Sequence, residues 1–244
     1  MVELLANPQV WASLLTLTVM EIVLGIDNIV FISVIVSRLP AQMADRARKI
    51  GLALALIFRI ILLAALSWLV GLTAPVFSAF SHDFSWRDLI LIGGGLFLLF
   101  KATHEIHKGI EGEEEEQEAN PAAAAAKGFA GVIAQIIVID LVFSIDSIIT
   151  AIGMAQHIEI MVAAVILAMM VMYAASGPVS GFIKRHPTTK MLALSFLLLI
   201  GVSLIADGLG FHIPRGYIYF AMAFSAGVEL VNVLAKSRRK SARH

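Results

Sequence analysis

The chain has 244 residues, of which 59% are hydrophobic and only 15% are charged. Soluble domains contain roughly 45–50% apolar and 25% charged residues, so this composition excludes an ordinary soluble fold. The sequence holds no phosphate-binding loop, no histidine-rich zinc motif and no nucleophile paired with a base. We therefore expect neither an enzyme nor a nucleic-acid-binding protein, and no prosthetic group.

Long apolar segments follow one another along the whole chain. A helix needs roughly 20 apolar residues to cross a bilayer. The first segment follows MVELLANPQVW, which carries Glu3 and no basic residue, so we expect it to be retained rather than cleaved as a signal peptide. The predicted fold is an all-α membrane protein with seven transmembrane helices, at about 9–37, 48–75, 87–107, 128–154, 158–183, 189–210 and 215–236.

One connection differs from the other short loops. Residues 109–127 form an acidic, alanine-rich segment that we interpret as a solvated cytoplasmic linker. It separates a first transmembrane repeat, residues 1–108, from a second repeat with an additional seventh helix, residues 128–236. Residues 237–244 form a basic cytoplasmic tail.

The basic residues are distributed unevenly between alternate loops. The side with the excess of lysine and arginine is expected to face the cytoplasm. Only Arg87 and Arg215 fall on the other side, while Arg59 and Lys101 lie in or near the spans. We predict an external amino terminus and a cytoplasmic carboxyl terminus, because fourteen basic residues share that side: Arg38, Arg46, Arg48, Lys49, Lys108, Lys127, Lys184, Arg185, Lys190, Lys236, Arg238, Arg239, Lys240 and Arg243.

A motif in the first helix recurs in the fourth. The segment EIVLGIDNI begins at Glu21, and DLVFSIDSI begins at Asp140, with the same spacing of acidic and small residues. Because three helices separate the copies, they enter the membrane from opposite sides. This pattern predicts an inverted-topology repeat of helices 1–3 and 4–6, with a substrate site near the midplane where the halves meet.

The paired motifs carry the candidate binding residues. A charged side chain at a helix centre costs about 2.5–3.5 kcal/mol on insertion scales, so acids there are functional candidates. Carboxylate, amide and hydroxyl oxygens suit a hard divalent cation such as Mn²⁺, Mg²⁺ or Ca²⁺. The chain has no cysteine, which argues against soft metals. We expect Asp27 and Asp146 to converge across the repeat interface, and the full candidate set is Glu21, Asp27, Asn28, Asp140, Asp146 and Ser147.

The alternative interpretation is that the acids pair with Arg59 and Lys101 and only hold helices together. Arg59 lies inside an apolar span, so a buried acid is its expected partner, with snorkelling as the other option. Lys101 and Glu105 form either an ordinary ion pair or a gate. Glu229 and Asn232 either extend the polar pathway or pack helices. Five intramembrane acids face two bases in this count, and a divalent ion with protons as coupling ions would offset the surplus.

The segments EIVLGIDNIVF and DLVFSIDSIIT, together with SAGVELVN in the last helix, resemble the TerC family of integral membrane proteins, which is related to the LysE exporters. The resemblance extends over about residues 8–236. It implies export of Mn²⁺ across the bacterial inner membrane, with Asp27, Asn28, Asp146 and Ser147 as the ion-binding core. A non-transporting membrane scaffold for metal-insertion or stress-resistance proteins is the competing function, and the oligomeric state stays open.

Overall fold

The computed structural model describes residues 8–37, 39–79, 82–111, 121–152 and 158–241. Within these residues the chain forms eight helices and one β-hairpin. The elements are α1 (Pro8–Val36), α2 (Ala41–Ala64), α3 (Leu66–Gly71), β1 (Pro75–Ala79), β2 (His82–Ser85), α4 (Trp86–Glu111), α5 (Pro121–Ile152), α6 (Ile158–Arg185), α7 (Pro187–Gly208) and α8 (Arg215–Ser241).

Six of these helices are long and apolar enough to cross a membrane: α1, α4, α5, α6, α7 and α8. This confirms the predicted class, a helical membrane protein. The 24-residue helix α2 is not among the six. It carries Arg46, Arg48 and Lys49 in its first half and Arg59 near its end, so its composition is less apolar.

The region predicted as one helix over 48–75 is divided. Helix α2 starts seven residues earlier, at Ala41, and ends at Ala64, and α3 follows after Ala65. Gly71 and Pro75 then prevent a further helical turn, because glycine and proline have the weakest helix propensities. An antiparallel β-hairpin that the sequence analysis missed joins α3 to α4, and its Phe77 and Phe84 rings stack with centroids 5.1 Å apart.

The predicted linker is shorter than its composition suggested. Helix α4 continues through residues 109–111, and α5 already includes residues 121–127. Alanine has the highest helix propensity, which accounts for helix formation in the alanine-rich part. Residues 112–120, which hold the glutamate run, lie outside the described residues, as does the predicted end of the fourth helix at 153–154. Helix α8 extends to Ser241, into the segment predicted as a basic tail.

The long helices pack mainly as three pairs: α1 with α6, α2 with α5, and α4 with α7. Helix α8 contacts chiefly α7, and only 11% of its apolar window is buried inside the protein. Its outer face carries Tyr217, Phe220 and Phe224, which are all strongly exposed. Such a surface is suited to contact with lipid, where apolar side chains need no protein partner.

Glycines allow the α4–α7 pair to approach closely. A Cβ atom added at Gly95 would lie 2.6 Å from the carbonyl oxygen of Gly201, and one added at Gly208 would lie 2.7 Å from that of Asp88. The neighbouring Gly93 has no atom within 4 Å of the same position. Small residues at such contacts are typical of helix packing in lipid.

We predict that Gly95→Ala lowers the free energy of unfolding by about 1–3 kcal/mol, the usual cost of overpacking. The matched variant Gly93→Ala should be neutral or stabilising by up to about 1 kcal/mol, since alanine favours the helix. Thermal melting of both variants in detergent measures the difference. Equal melting of the two would contradict the close contact between α4 and α7.

Candidate functional site

Arg59 connects two acids from different helices. Its guanidinium Nη1 donates to Glu21 Oε2 at 2.7 Å, and its Nη2 donates to Asp140 Oδ1 at 2.8 Å. The three residues are almost fully buried, with 3% of Glu21, 4% of Arg59 and 4% of Asp140 exposed. Arg59 therefore joins α1, α2 and α5 inside the protein, and snorkelling toward water is excluded.

Asp140 has further donors from both motif helices. Its Oδ1 accepts a hydrogen bond from Asn28 Nδ2 at 3.1 Å, and its Oδ2 accepts one from Ser144 Oγ at 3.2 Å. Ser147 donates instead to the backbone carbonyl of Ser144 at 3.3 Å. A carboxylate with this many donors is well compensated in an apolar surrounding. Asp140 and Asn28 thus lie in a polar junction between the two copies of the motif.

Asp146 pairs with two arginines that the sequence analysis had assigned to external loops. The Arg87 guanidinium donates to its Oδ1, and the Arg215 guanidinium donates to its Oδ2. Only 1% of Asp146 is exposed. The carboxylate is therefore neutralised by side chains from the first turns of α4 and α8.

A capping box fixes the start of α4 and with it Arg87. The Ser85 hydroxyl accepts a hydrogen bond from the Asp88 backbone N–H at 3.2 Å, and the Asp88 carboxylate accepts one from the Ser85 backbone N–H at 2.8 Å. This reciprocal pair satisfies two backbone donors at the helix end. Arg87 lies between them in sequence, so its position in the first turn is defined.

The end of α7 determines where Arg215 lies. The Phe211 N–H donates to the Ala206 carbonyl at 2.8 Å, and the Gly210 N–H donates to the Asp207 carbonyl at 3.1 Å. This is a Schellman motif, and Gly210 adopts the left-handed φ of 82° that it requires. The chain turns back sharply, and α8 begins five residues later.

The opposite ends of α7 and α8 show how deep Arg215 lies. Glu229 of α8 accepts hydrogen bonds from Thr188 and Thr189 in the first turn of α7. At 1.5 Å per residue, α7 rises about 30 Å from Thr188 to Gly208, whereas α8 covers about 21 Å from Glu229 to Arg215. Arg215 therefore lies about 9 Å short of the end of α7. It begins a helix, and its guanidinium reaches a buried acid while 29% of the side chain stays exposed.

Asp27 differs from the other three motif acids. It is 5% exposed, and its Oδ1 accepts no hydrogen bond from any described residue. It borders a cavity of about 20 Å³, which is enough for roughly one water molecule. The other residues around this cavity come from α5, α7 and α8: Phe143, Ile200, Ser203, Leu204, Arg215, Ile218 and Tyr219.

The remaining predicted residues lie away from this cluster. Lys101 Nζ is 4.0 Å from the buried carboxylate of Glu105. Lys101 is fourteen residues beyond Arg87 on the same helix, a distance of about 21 Å. Glu229 is equally far from Arg215 along α8, and Asn232 is exposed on the same helix. Neither side chain on α8 extends the polar cluster.

The charge balance of the cluster differs from the sequence count. Five buried carboxylates, at Glu21, Asp27, Asp88, Asp140 and Asp146, are accompanied by three guanidiniums. Formally two negative charges remain in excess, and Asp27 is the motif acid with a buried oxygen that accepts no hydrogen bond from any described residue. The described residues contain no group of three or more histidine, aspartate or glutamate side chains placed to hold a metal ion. Of the predicted core, Asp27 and Asp146 both lie next to Arg215, whereas Asn28 donates to Asp140 and Ser147 donates to a backbone carbonyl.

Arg87 and Arg215 are the site residues that sequence reasoning missed. Each lies in the first turn of a helix, where the macrodipole disfavours a cation, so each needs an acidic partner. The Ser85-x-x-Asp88 capping pattern was a readable signal that Arg87 begins a helix. No comparable signal marks the depth of Arg215, which depends on how α8 packs against α7.

The fold and the site define a polytopic helical membrane protein whose interior holds a cluster of paired charges. The sequence profile of the integral membrane protein TerC family matches residues 6–244. The chain belongs to this family, and the resemblance noted from the two motifs is confirmed.

Curated relatives support the same family. The chain is 50% identical over 245 residues to the UPF0053 inner membrane protein YoaE of Escherichia coli K12, covering 99% of this chain and 46% of YoaE. It is 48% identical to the UPF0053 inner membrane protein YgdQ of the same strain and 49% identical to a UPF0053 protein of Haemophilus influenzae, with 96% of this chain and 97% of each relative covered. The chain thus spans about half the length of YoaE. No solved structure shows significant similarity to it.

We predict that Arg59→Met lowers the free energy of unfolding by about 3–5 kcal/mol, because it leaves Glu21 and Asp140 buried without their cation. Arg46→Met, an exposed position on the same helix, should change it by less than about 0.5 kcal/mol. Thermal melting in detergent and abundance in the membrane measure both. The double variant Arg59→Met/Asp140→Asn should recover part of the lost stability. If Arg59→Met alone is as stable as the wild type, the pairing of Arg59 with Glu21 and Asp140 is refuted.

Proposed function

We propose that this chain is an integral membrane transporter that exports a divalent cation from the cytoplasm, with Mn²⁺ as the leading candidate. The observation that carries the proposal is the burial of four carboxylates in paired positions of α1 and α5, with Asp27 open to a cavity. Ionisable groups inside a membrane are costly and mark transport pathways by default. The names of YoaE and YgdQ favour the inner membrane as the location.

The helix pairing supports an inverted repeat. Each residue of the first motif has its counterpart 119 positions later, as for Glu21 and Asp140. Consider a two-fold rotation that exchanges α1 with α5, α2 with α6, and α4 with α7. It turns the α1–α6 pair into the α5–α2 pair and leaves the α4–α7 pair as it is. These are the three main helix pairs of the structure. This supports seven membrane-crossing helices, with α2 crossing as the counterpart of α6.

The buried faces of α2 and α6 agree with this relation. At a shift of 113 positions, six of the seven buried residues of α2 match buried residues of α6: 47, 51, 52, 55, 59 and 63 in α2 against 160, 164, 165, 168, 172 and 176 in α6. The seventh, Leu62, corresponds to the half-buried Ala175. Arg59 then corresponds to Met172. The repeat is therefore related in backbone but differs in charge, since only one half supplies an arginine.

The choice of cation follows from the ligand chemistry. The chain offers carboxylate, amide and hydroxyl oxygens and no cysteine, which suits hard ions such as Mn²⁺, Mg²⁺ and Ca²⁺. The excess negative charge of the cluster suits one bound divalent cation, whose arrival would release protons or an internal arginine. Mn²⁺ is preferred among the three because the resemblance to the TerC family implies it, and protons are proposed as coupling ions.

A second function, a membrane scaffold that transports nothing, is favoured by a different observation. Glu21, Asp140 and Asp146 each form an ion pair with an arginine. Within the described residues these pairs connect α1, α2, α4, α5 and α8, as structural partners would. Asp27 distinguishes the two functions, because a scaffold gives no reason for a buried carboxylate oxygen without a hydrogen bond.

We predict that Asp27→Asn reduces Mn²⁺ uptake into everted membrane vesicles by about tenfold or more, the effect of losing about 1.4 kcal/mol of ion binding. The substitution keeps the size but removes the charge that the cation needs, and it should not lower the melting temperature. Asp45→Asn, at a half-exposed site on α2, removes a charge away from the cluster and should transport normally. Normal uptake by Asp27→Asn, at normal abundance, would favour the scaffold.

We predict that the carboxyl terminus is cytoplasmic. The fourteen basic residues on that side of the chain support this orientation, and Arg87 and Arg215, the two exceptions, point to a buried acid. Alkaline phosphatase fused after Lys240 should be inactive, and a green fluorescent protein fusion at the same site should fluoresce. The reverse pattern would overturn the predicted orientation.

A further inference from the structure

Arg215 lies between the two motif aspartates. Its guanidinium forms an ion pair with Asp146, and the same residue borders the cavity beside Asp27. Asp27 and Asp146 occupy corresponding positions of the two motif copies, 119 residues apart. The arginine thus occupies the place between the two acids that the sequence analysis had assigned to a metal ion.

The cavity does not hold a cation and the guanidinium together without strong repulsion. Its volume of about 20 Å³ places any ion bound at Asp27 directly beside Arg215. Like charges repel strongly at short range inside a protein, where the effective dielectric constant is well below that of water. Binding of a divalent ion at Asp27 therefore requires that Arg215 move away.

Arg215 is better placed to move than Arg87, the other partner of Asp146. Arg87 follows the Ser85–Asp88 capping box, and its guanidinium also lies 3.7 Å from the Asp88 carboxylate. Helix α4 is packed closely against α7 through its glycines. Helix α8 is much less enclosed, with 11% of its apolar window buried against 33% for α4.

We propose that Arg215 is a built-in counterion that occupies the cation site when no cargo is bound and is displaced by the cargo. This inference rests on the proposed function. Arg215 acts as a positioning residue: together with Arg87 it neutralises the two buried motif aspartates of the empty protein, which lowers the cost of their burial. Arrival of a divalent cation at Asp27 releases Arg215 and the start of α8, so occupancy of the site is coupled to a movement of α8.

The test compares Arg215→Gln with Arg87→Gln in the purified full-length protein, with Mn²⁺ as the probe. Each variant removes one guanidinium from Asp146, but only Arg215 borders the Asp27 cavity. We expect Arg215→Gln to tighten the Kd for Mn²⁺ by about tenfold or more. Arg87→Gln should shift it in the same direction by a clearly smaller factor, and Arg215→Lys should bind like the wild type. Isothermal titration calorimetry gives the Kd values.

Transport separates this role from a purely structural one. Arg215→Gln should bind Mn²⁺ more tightly and yet transport it more slowly, because the empty site no longer has its counterion. A lower melting temperature with an unchanged Kd would instead show that Arg215 only stabilises the fold. If Arg215→Gln does not accumulate, the pair Asp146→Asn and Asp146→Asn/Arg215→Gln provides the same comparison without leaving an unpaired buried charge. The double variant should bind Mn²⁺ more tightly than the single one.

The outcomes distinguish this inference from the proposed function. Mn²⁺ binding that depends on Asp27 but is equal in wild type and Arg215→Gln would overturn the counterion role and leave the transporter intact. Equal tightening by Arg215→Gln and Arg87→Gln would also overturn it, since a general change of charge would then suffice. Absence of Mn²⁺ binding in every variant would overturn both. Binding by Arg215→Gln alone would support the inference in its strongest form.

Discussion

Charge buried in an apolar medium must be compensated, and this constraint organises the whole interior of the protein. Four carboxylates lie inside a bundle of apolar helices, where a lone ionised group is costly. Arg59, Arg87 and Arg215 reach them from α2, α4 and α8. Because each ion pair joins separate helices, the same contacts that lower the cost of burial also define how the helices are arranged around the two motifs.

The compensation is unequal between the two copies of the motif, which gives related residues different roles. Asp140 receives hydrogen bonds from Arg59, Asn28 and Ser144, and it is best understood as a structural centre. The position in α6 that corresponds to Arg59 is Met172, which packs against Gly25 and offers no charge. The two copies of the motif thus differ in their hydrogen bonds, and Asp27 keeps a buried oxygen that accepts none from the described residues.

The weakly packed helix α8 carries Arg215, the one of the three arginines that borders the cavity beside Asp27. Its surface is largely exposed to the surrounding medium, and its start is set back from the end of α7 by the turn at Gly210. The transporter that we propose needs an element that moves at low cost, and a helix with few protein contacts meets that need. The closely packed α4–α7 pair, by contrast, is suited to remain fixed while the site changes occupancy.

The sequence alone determined the class of protein, most helix positions, the duplicated motif and the buried acids, because hydropathy and charge along the chain report directly on the cost of entering a membrane. It also indicated that Arg59 needs an acidic partner. The break at Ala65, the hairpin before α4, and the pairing of Asp146 with Arg87 and Arg215 depended on tertiary structure. The depth of Arg215 is decided by the turn after α7 and by its packing with α8. The sequence shows that Arg215 is charged, but it does not show how deep in the protein the helix that starts with Arg215 begins.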